Sequence, residues 1–237
     1  MKFEAIKKVT VTEQIMDKIA DMIISGKLPQ GVKLPNERLL AEQFGVARGR
    51  IREALRALSL IGLITIKAGE GSYVTYREEP LPAGTITWLF HDEIHNLEEM
   101  YDARKLIESA VYLSAVRHMT GNRLESLEEM LGKLSAYRSS KHLDPHEVLR
   151  MLDRFDLYIG DICGNRIYNK LMQTIIHLRR ETCLKLLQVP GALETSIETR
   201  TYLLETMKTG DEHKVQQAIN LFFDHSKAFY QSIVRDK

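Results

Sequence analysis

The fold is decided by residues 34–58, which read LPNERLLAEQFGVARGRIREALRAL. Pro35-Asn36-Glu37 predicts the start of a helix, and Gly45 predicts its end. A second helix begins one or two residues later and carries its apolar side chains on one face: Ile51, Ala54, Leu55 and Leu58. Two short helices joined by a tight turn that contains glycine predict a helix-turn-helix.

The residues on either side complete this unit. Thr10-Val11-Thr12-Glu13 has the capping-box spacing that opens a helix ahead of the pair. Residues 63–66 and 72–76 alternate between apolar and polar side chains and predict two short strands, joined by the glycine-rich segment 67–71. The sequence therefore predicts a winged helix-turn-helix over residues 1–77.

Charge is unevenly distributed along the chain. Residues 1–77 contain 13 Lys and Arg against 8 Asp and Glu, whereas the rest of the chain contains 20 against 24 and all eight histidines. On the second helix of the pair, Arg48, Arg52 and Arg56 recur every four residues with Arg50 nearby, and this helix is sized for the DNA major groove. An arginine there can bind a guanine edge or clamp a phosphate, and an ordinary solvated face is the alternative.

Four segments in unbroken order resemble the GntR family of bacterial regulators, namely residues 34–41, 45–48, 51–55 and 69–74. The resemblance implies binding to double-stranded DNA. The residues expected to contact it are Arg38, Arg48, Gly49, Arg50, Arg52 and Gly69.

Two positions depart from the family pattern. Ala47 and Gly49 stand where the family usually has Ser or Thr. Ala47 lacks the side-chain oxygen of a helix cap, at a cost of about 1 kcal/mol, and Gly49 weakens the helix by a similar amount. Because two hydroxyl contacts are lost while Arg50 adds a cation, we expect an operator unlike the commonest ones of the family.

Beyond the predicted linker, residues 78–87, almost every segment predicts a helix. Asn96-Leu97-Glu98-Glu99 opens a helix that runs through His118, and five more are expected at about 122–137, 144–164, 167–188, 193–208 and 211–235. Helices joined by short loops predict an antiparallel bundle. The expected fold is mostly α: a winged helix-turn-helix of three helices plus a β-hairpin wing, followed by an all-α antiparallel helical bundle.

The second part resembles the effector-binding (FCD-type) domain of the FadR branch of the GntR family. The similarity lies in residues 102–108, 155–156, 163–165 and 209–211. It implies that residues 88–237 bind a small-molecule effector, of carboxylate or acyl type, and form a homodimer on a pseudo-palindromic operator.

Many domains of this branch bind a divalent metal through an aspartate, a histidine four residues later and two further histidines. At the corresponding positions this chain has Leu152, Asp156, Arg200 and Phe222, and Asp153 lies one residue out of register. A guanidinium repels a metal ion, so we expect neither a metal nor any other cofactor. The hypothesis that replaces metal binding is that Asp153 and Asp156 form ion pairs with Arg200 or Arg104.

Arg104 is the favoured effector-binding residue, because a planar cation inside a bundle binds carboxylate or phosphate well. A structural salt bridge to Glu108 is the alternative. Phe222 and the other aromatic residues of the last helix either wall an apolar pocket or pack in the core. The expected effector-binding residues are thus Arg104, Asp153, Asp156, Arg200 and Phe222.

The remaining features point to a cytoplasmic protein without enzymatic activity. Apolar stretches are too short to cross a bilayer, and Cys163 and Cys183 lack metal-type spacing. No phosphate-binding loop, dinucleotide fingerprint or serine elbow occurs in the sequence. The expected function is a regulator, repressor or activator, whose operator affinity depends on the effector. The alternatives are a metal-dependent helical-bundle enzyme and an effector-independent dimeric DNA-binding protein.

Overall fold

The computed structural model describes residues 10–75, 82–92, 96–138 and 143–235. The chain divides into two compact units, Met1–Thr85 and Ile86–Lys237. The elements in chain order are α1 (Val11–Ile24), α2 (Glu37–Phe44), α3 (Arg48–Leu60), β1 (Ile64–Lys67), β2 (Gly71–Val74), α4 (Ala83–Leu89), α5 (Leu97–Val116), α6 (Gly121–Arg138), α7 (Pro145–Ile162), α8 (Arg166–Leu178), α9 (Arg180–Leu186), α10 (Ala192–Lys208) and α11 (Glu212–Arg235). This architecture confirms the predicted fold class.

Local capping signals set the helix ends of the first unit. Thr10 and Glu13 form the predicted capping box at the start of α1. The Asn36 side chain accepts a hydrogen bond from the backbone N–H of Leu39 and so caps α2. Gly45 ends α2 in the left-handed conformation, with φ of 66°. This glycine turns the chain directly into α3, as a helix-turn-helix requires.

The core of the first unit is formed by the facing apolar sides of its helices and strands. Its buried side chains include Ile19 of α1, Leu40 of α2, Ile51 and Leu58 of α3, and Val74 of β2. Because only the apolar stripe of α3 is buried, its opposite, arginine-rich side is available to a partner.

The two strands form the predicted antiparallel wing, with Ile64 opposite Val74 and Lys67 opposite Gly71. The segment before α2 runs along the outer edge of β2. There the Leu34 N–H donates to the Ser72 carbonyl at 2.8 Å, and the Val74 N–H donates to the Val32 carbonyl at 2.9 Å. The wing is therefore fixed to the helix-turn-helix through the backbone.

The second unit is a helical bundle with a continuous apolar core. Helices α5, α6, α7, α8, α10 and α11 each contribute fully buried side chains to it, among them Val111, Leu127, Ile159, Met172 and Phe223. A buried group of charged residues lies within this apolar surrounding, which is costly unless every charge is paired.

Four details differ from the sequence predictions. The single helix expected over residues 167–188 is two helices, α8 and α9, because Arg179 has ψ of −8° and its side chain is held by aspartates of α7. The helical spacing of apolar residues predicts that Leu106 of α5 and Met22 of α1 face the core, but Leu106 is 75% exposed and Met22 is 39% exposed. Helix α4 was not predicted, and it begins inside the expected linker. Residues 78–81 of that linker, and His95 and His142, lie outside the described residues.

Candidate DNA-binding surface and effector cavity

Four arginines project from the helix-turn-helix with their side chains largely exposed. The exposed fraction is 74% for Arg38 of α2, and 61%, 57% and 51% for Arg48, Arg50 and Arg52 of α3. They share one chemical property that suits a nucleic-acid partner, a planar cation with several donors that is already accessible to solvent.

Glu37 orients two of these arginines. The Nε and Nη2 atoms of Arg52 both donate to the Glu37 carboxylate, at 3.0 and 2.7 Å, and Arg48 Nη2 lies 3.9 Å from the same carboxylate. The hydrogen bond from Arg52 lowers the pKa of Glu37 and raises that of Arg52. The carboxylate thereby holds the start of α2 and the arginine side of α3 together. This partner was not predicted, although Glu37 belongs to the deciding stretch of sequence.

The other two predicted contacts pair with carboxylates on their own helices. Arg50 Nη1 lies 3.0 Å from Glu53, and Arg38 Nη1 lies 3.7 Å from Glu42. Exposed pairs of this kind contribute at most about 1 kcal/mol, so a phosphate or base can replace the carboxylate at little cost.

The glycines of this surface differ in what they require. Gly69 has φ of 76°, which favours glycine at the tip of the wing, whereas Gly49 is helical and a Cβ added there would meet nothing within 4 Å. Ala47 occupies the cap position of α3 with extended backbone and makes no side-chain cap hydrogen bond, so the predicted missing cap is confirmed. Near the wing tip, Lys67 Nζ lies 5.1 Å from the centre of the Tyr73 ring, a contact that sequence reasoning missed.

In the second unit, Asp156 is the centre of a buried ion-pair network. Its carboxylate accepts hydrogen bonds from the Tyr112 hydroxyl at 2.7 Å, from Arg179 Nη2 at 2.7 Å and from Arg200 Nη2 at 2.8 Å. Burial opposes ionisation, but the charges of Arg200 and Arg179 outweigh it and hold the pKa of Asp156 at about 2. Asp156 is therefore a permanent anion bound to two permanent cations.

Asp153 extends this network toward solvent. It lies 3.0 Å from Arg179 Nη2 and 3.7 Å from Nε of Arg180, whose side chain is half exposed. Burial raises the pKa of Asp153 despite the nearby charge of Arg179. The pairing of Asp156 with Arg200 confirms the ion-pair hypothesis for that aspartate, whereas Asp153 pairs with neither Arg200 nor Arg104.

Arg104 makes the salt bridge that was the alternative to effector binding. Its Nε donates to Glu108 at 2.8 Å, and both side chains are buried, with 4% and 1% exposed. Its guanidinium also lies 5.5 Å from the centre of the Phe223 ring. A salt bridge along one side of a guanidinium leaves its other donors available, so the two interpretations are compatible.

These arginines line one cavity in the second unit. The empty space amounts to about 550 Å³, part of which is continuous with solvent. Three arginines line it, Arg104, Arg179 and Arg200. Phe222 also lines the cavity; it is buried, and Arg200 lies 4.8 Å from its ring centre. Phe222 thus both lines the cavity and packs in the core.

Arg179 is the member of the site that sequence reasoning missed. It is 2% exposed, and its Nε is buried without a hydrogen-bond partner. The sequence did contain a signal for it. The pair Arg179-Arg180 lies inside a segment expected to be one amphipathic helix, and there a cation interrupts the apolar side of that helix.

The residues at the family's metal position do not fit a divalent cation. The carboxylate of Asp156 is taken by Tyr112 and two arginines, and the guanidinium of Arg200 stands 2.8 Å from it. Nowhere in the described ranges do three His, Cys, Asp or Glu side chains come together as metal ligands. The residues at this position therefore form ion pairs and are not suited to bind a metal.

The remaining candidate residues take ordinary positions. Cys163 and Cys183 are free and buried, and Cys183 lines the cavity. His225 lines it as well, and His177 lies within hydrogen-bonding distance of Thr87, at 3.1 Å. Among the helices of the described residues, none is both long and apolar enough to span a membrane.

A winged helix-turn-helix with exposed arginines, followed by a helical bundle with its own cavity, defines a transcriptional regulator. The profile of the family described as bacterial regulatory proteins, gntR family, matches residues 11–74, and that of the FCD domain matches residues 99–225. The chain belongs to the GntR family of bacterial regulatory proteins and carries an FCD domain. Members of this kind are regulators and not enzymes, so the metal-dependent enzyme is the wrong alternative.

Individual relatives agree with this assignment. The HTH-type transcriptional regulator LutR of Bacillus subtilis (strain 168) is 30% identical over 193 residues, which cover 79% of this chain and 78% of that protein. The putative L-lactate dehydrogenase operon regulatory protein of Escherichia coli (strain K12) is 24% identical over 230 residues, covering 91% and 85%. The solved structure of Streptococcus agalactiae GntR superposes with a TM-score of 0.66 at 21% identity, covering 93% of this chain and all of that one.

Proposed function

We propose that this regulator binds a small metabolite anion, a carboxylate, in the cavity of its second unit and that this binding changes its affinity for an operator. The observation that carries the proposal is the cavity wall. Three buried arginines line it, while the carboxylates that pair with them do not. A buried arginine beside a cavity is suited to bind a carboxylate through charge-assisted hydrogen bonds.

The composition of the cavity supports a small organic ligand. Ligand pockets are mostly apolar with a few polar groups. Apolar side chains such as Leu186, Leu187 and Phe229 line it beside the arginines. The effector-independent alternative predicts a filled core near Arg104, and the cavity there favours the effector.

The name of one relative supports the same ligand class. It refers to an L-lactate dehydrogenase operon, and lactate is a small hydroxycarboxylate anion. For this chain we propose only the class, a small carboxylate.

On the DNA side, we propose that Arg38, Arg48, Gly49, Arg50, Arg52 and Gly69 contact the operator. The exposure of the four arginines and the left-handed backbone of Gly69 support these contacts. Two copies of α3 about one DNA turn apart are needed to read a pseudo-palindromic site, so the proposal includes a homodimer. Residues 78–87 are proposed to couple the units.

A screen and a binding assay test the proposal. The melting temperature of the full chain is measured with a panel of sodium carboxylates and with the neutral amide of each acid. We expect at least one carboxylate to raise Tm while its amide does not, since ligands of the native state stabilise it. That compound should then change the dissociation constant for an operator selected from random duplexes. If no carboxylate in the panel changes Tm or operator affinity, the proposed control by a carboxylate is wrong.

A further inference from the structure

We propose that Arg179 binds the effector's anionic group directly, without a metal ion. This inference rests on the proposed function and names a residue that it leaves open. It begins from Arg179, which sequence reasoning did not select.

Only some of the hydrogen-bond donors of Arg179 have a partner within the protein. Its Nη2 donates to Asp153 at 3.0 Å and to Asp156 at 2.7 Å, which fixes the guanidinium in place. Its Nη1 has a weaker contact, 3.7 Å to the Cys183 sulfur, and its Nε has no partner although it is buried. An unpaired buried N–H of this kind costs about 1–3 kcal/mol, so a ligand oxygen that accepts it recovers that energy.

The buried charges beside the cavity balance one another. Arg104, Arg179 and Arg200 face the carboxylates of Glu108, Asp153 and Asp156 in ion pairs. Arg180 is half exposed and does not line the cavity. An anionic group in the cavity is therefore held by hydrogen bonds from the guanidinium donors and not by an excess of positive charge.

The ion-pair network around Asp156 leaves no room in its charge balance for a metal ion. Arg179 binds Asp153 and Asp156 through Nη2, while its Nε has no partner. The charges of Arg200 and Arg179 at Asp156 repel a metal cation.

Cys183 offers a direct probe of this cavity. It lines the cavity beside Arg179, whereas Cys163 is fully buried and is absent from the cavity lining. Iodoacetate and iodoacetamide alkylate a thiol in the same way: the thiolate sulfur bonds to the CH2 carbon and iodide leaves. They differ in that only iodoacetate carries a carboxylate, so the ratio of their rates reports the preference for an anion.

The experiment measures this ratio at Cys183 by peptide mass spectrometry in the full native chain and in the same chain unfolded in urea. We expect the native ratio, iodoacetate over iodoacetamide, to exceed the unfolded ratio about tenfold, because guanidinium groups concentrate the anion at the thiol. Treatment with EDTA should leave the native ratio unchanged. Equal native and unfolded ratios, or no reaction at Cys183 with either reagent, would overturn the proposal.

Two neighbouring variants locate the effect. Arg179→Gln, measured under conditions in which circular dichroism shows it to be folded, should bring the ratio within about twofold of the unfolded value, whereas Arg180→Gln, which removes the adjacent half-exposed cation, should retain most of the preference. If EDTA abolishes the preference and Zn²⁺ restores it, the metal-free inference fails while the proposed carboxylate function stands. If the preference is missing with and without Zn²⁺, both fail.

Discussion

The two units use arginine in opposite ways. In the helix-turn-helix, Arg38, Arg48, Arg50 and Arg52 are exposed, and each pairs with a carboxylate at the surface. In the bundle, Arg104, Arg179 and Arg200 are almost completely buried among aspartate, glutamate and aromatic side chains. An exposed guanidinium exchanges partners at little cost, whereas a buried one is a fixed part of the structure. The first arrangement suits a large anionic polymer, and the second suits a small ligand that enters a defined space.

Removal of a buried arginine should give the largest effect. Arg200→Met leaves Asp156 with one cation fewer in an apolar surrounding, and we expect the free energy of unfolding to fall by about 3–5 kcal/mol. Urea denaturation measures it. The matched control is Arg38→Met, whose partner Glu42 is exposed and 3.7 Å away, and which should change the free energy by less than about 0.5 kcal/mol. Similar losses in both variants would remove the distinction between the two settings.

Removal of an exposed arginine should weaken DNA binding and leave stability unchanged. Arg48→Ala is expected to cost about 1–3 kcal/mol of binding free energy, a loss of roughly fivefold to a hundredfold in operator affinity. Fluorescence anisotropy with a labelled operator measures it. Lys18→Ala removes the same charge from an exposed position on α1 and should change the affinity far less. An equal loss in the two variants would mean that only net charge matters.

Acid should separate the buried network from surface pairs. The pKa of Asp156 is about 2, below its ordinary value of 3.8. A depressed folded-state pKa contributes stability that is present above the unfolded value and is lost as pH falls through the folded value. The stability difference between the wild type and Asp156→Asn should therefore shrink by about 2 kcal/mol between pH 5 and pH 2. A stability difference that stays constant from pH 5 to pH 2 would contradict a lowered pKa of Asp156.

Glycine substitutions in the helix-turn-helix should have the smallest effects. Gly49→Ala is expected to raise the free energy of unfolding by about 0.5–1 kcal/mol, because the position is helical and open. Gly45→Ala should lower it by about 1 kcal/mol, since Gly45 has φ of 66°. Thermal unfolding of the two variants compares them, and a loss of stability in Gly49→Ala would show that this glycine is structurally required.

The first unit was predictable because its signals are local. Thr10, Asn36 and Gly45 fix the helix ends through contacts within a few residues, and the apolar stripe of α3 determines which side its arginines take. The sequence therefore predicted the helix-turn-helix, the wing and the absent cap at Ala47.

The bundle site was only partly predictable because its contacts span long distances in sequence. Asp156 and Arg200 were placed together by the family resemblance, and the structure pairs them. Arg179 was missed because its partners lie 23 and 26 residues away and its own segment has the pattern of one continuous helix. The cavity depends on how several helices meet, which the periodicity of any one of them does not determine.

The most direct test of the central claim measures operator affinity in the wild type and in Arg179→Gln, without and with the sodium carboxylate that raises Tm most. We expect this compound to change the wild-type dissociation constant by at least about fivefold and to leave that of the variant nearly unchanged. The same dissociation constant with and without saturating compound in the wild type would contradict control by an anion bound in the cavity.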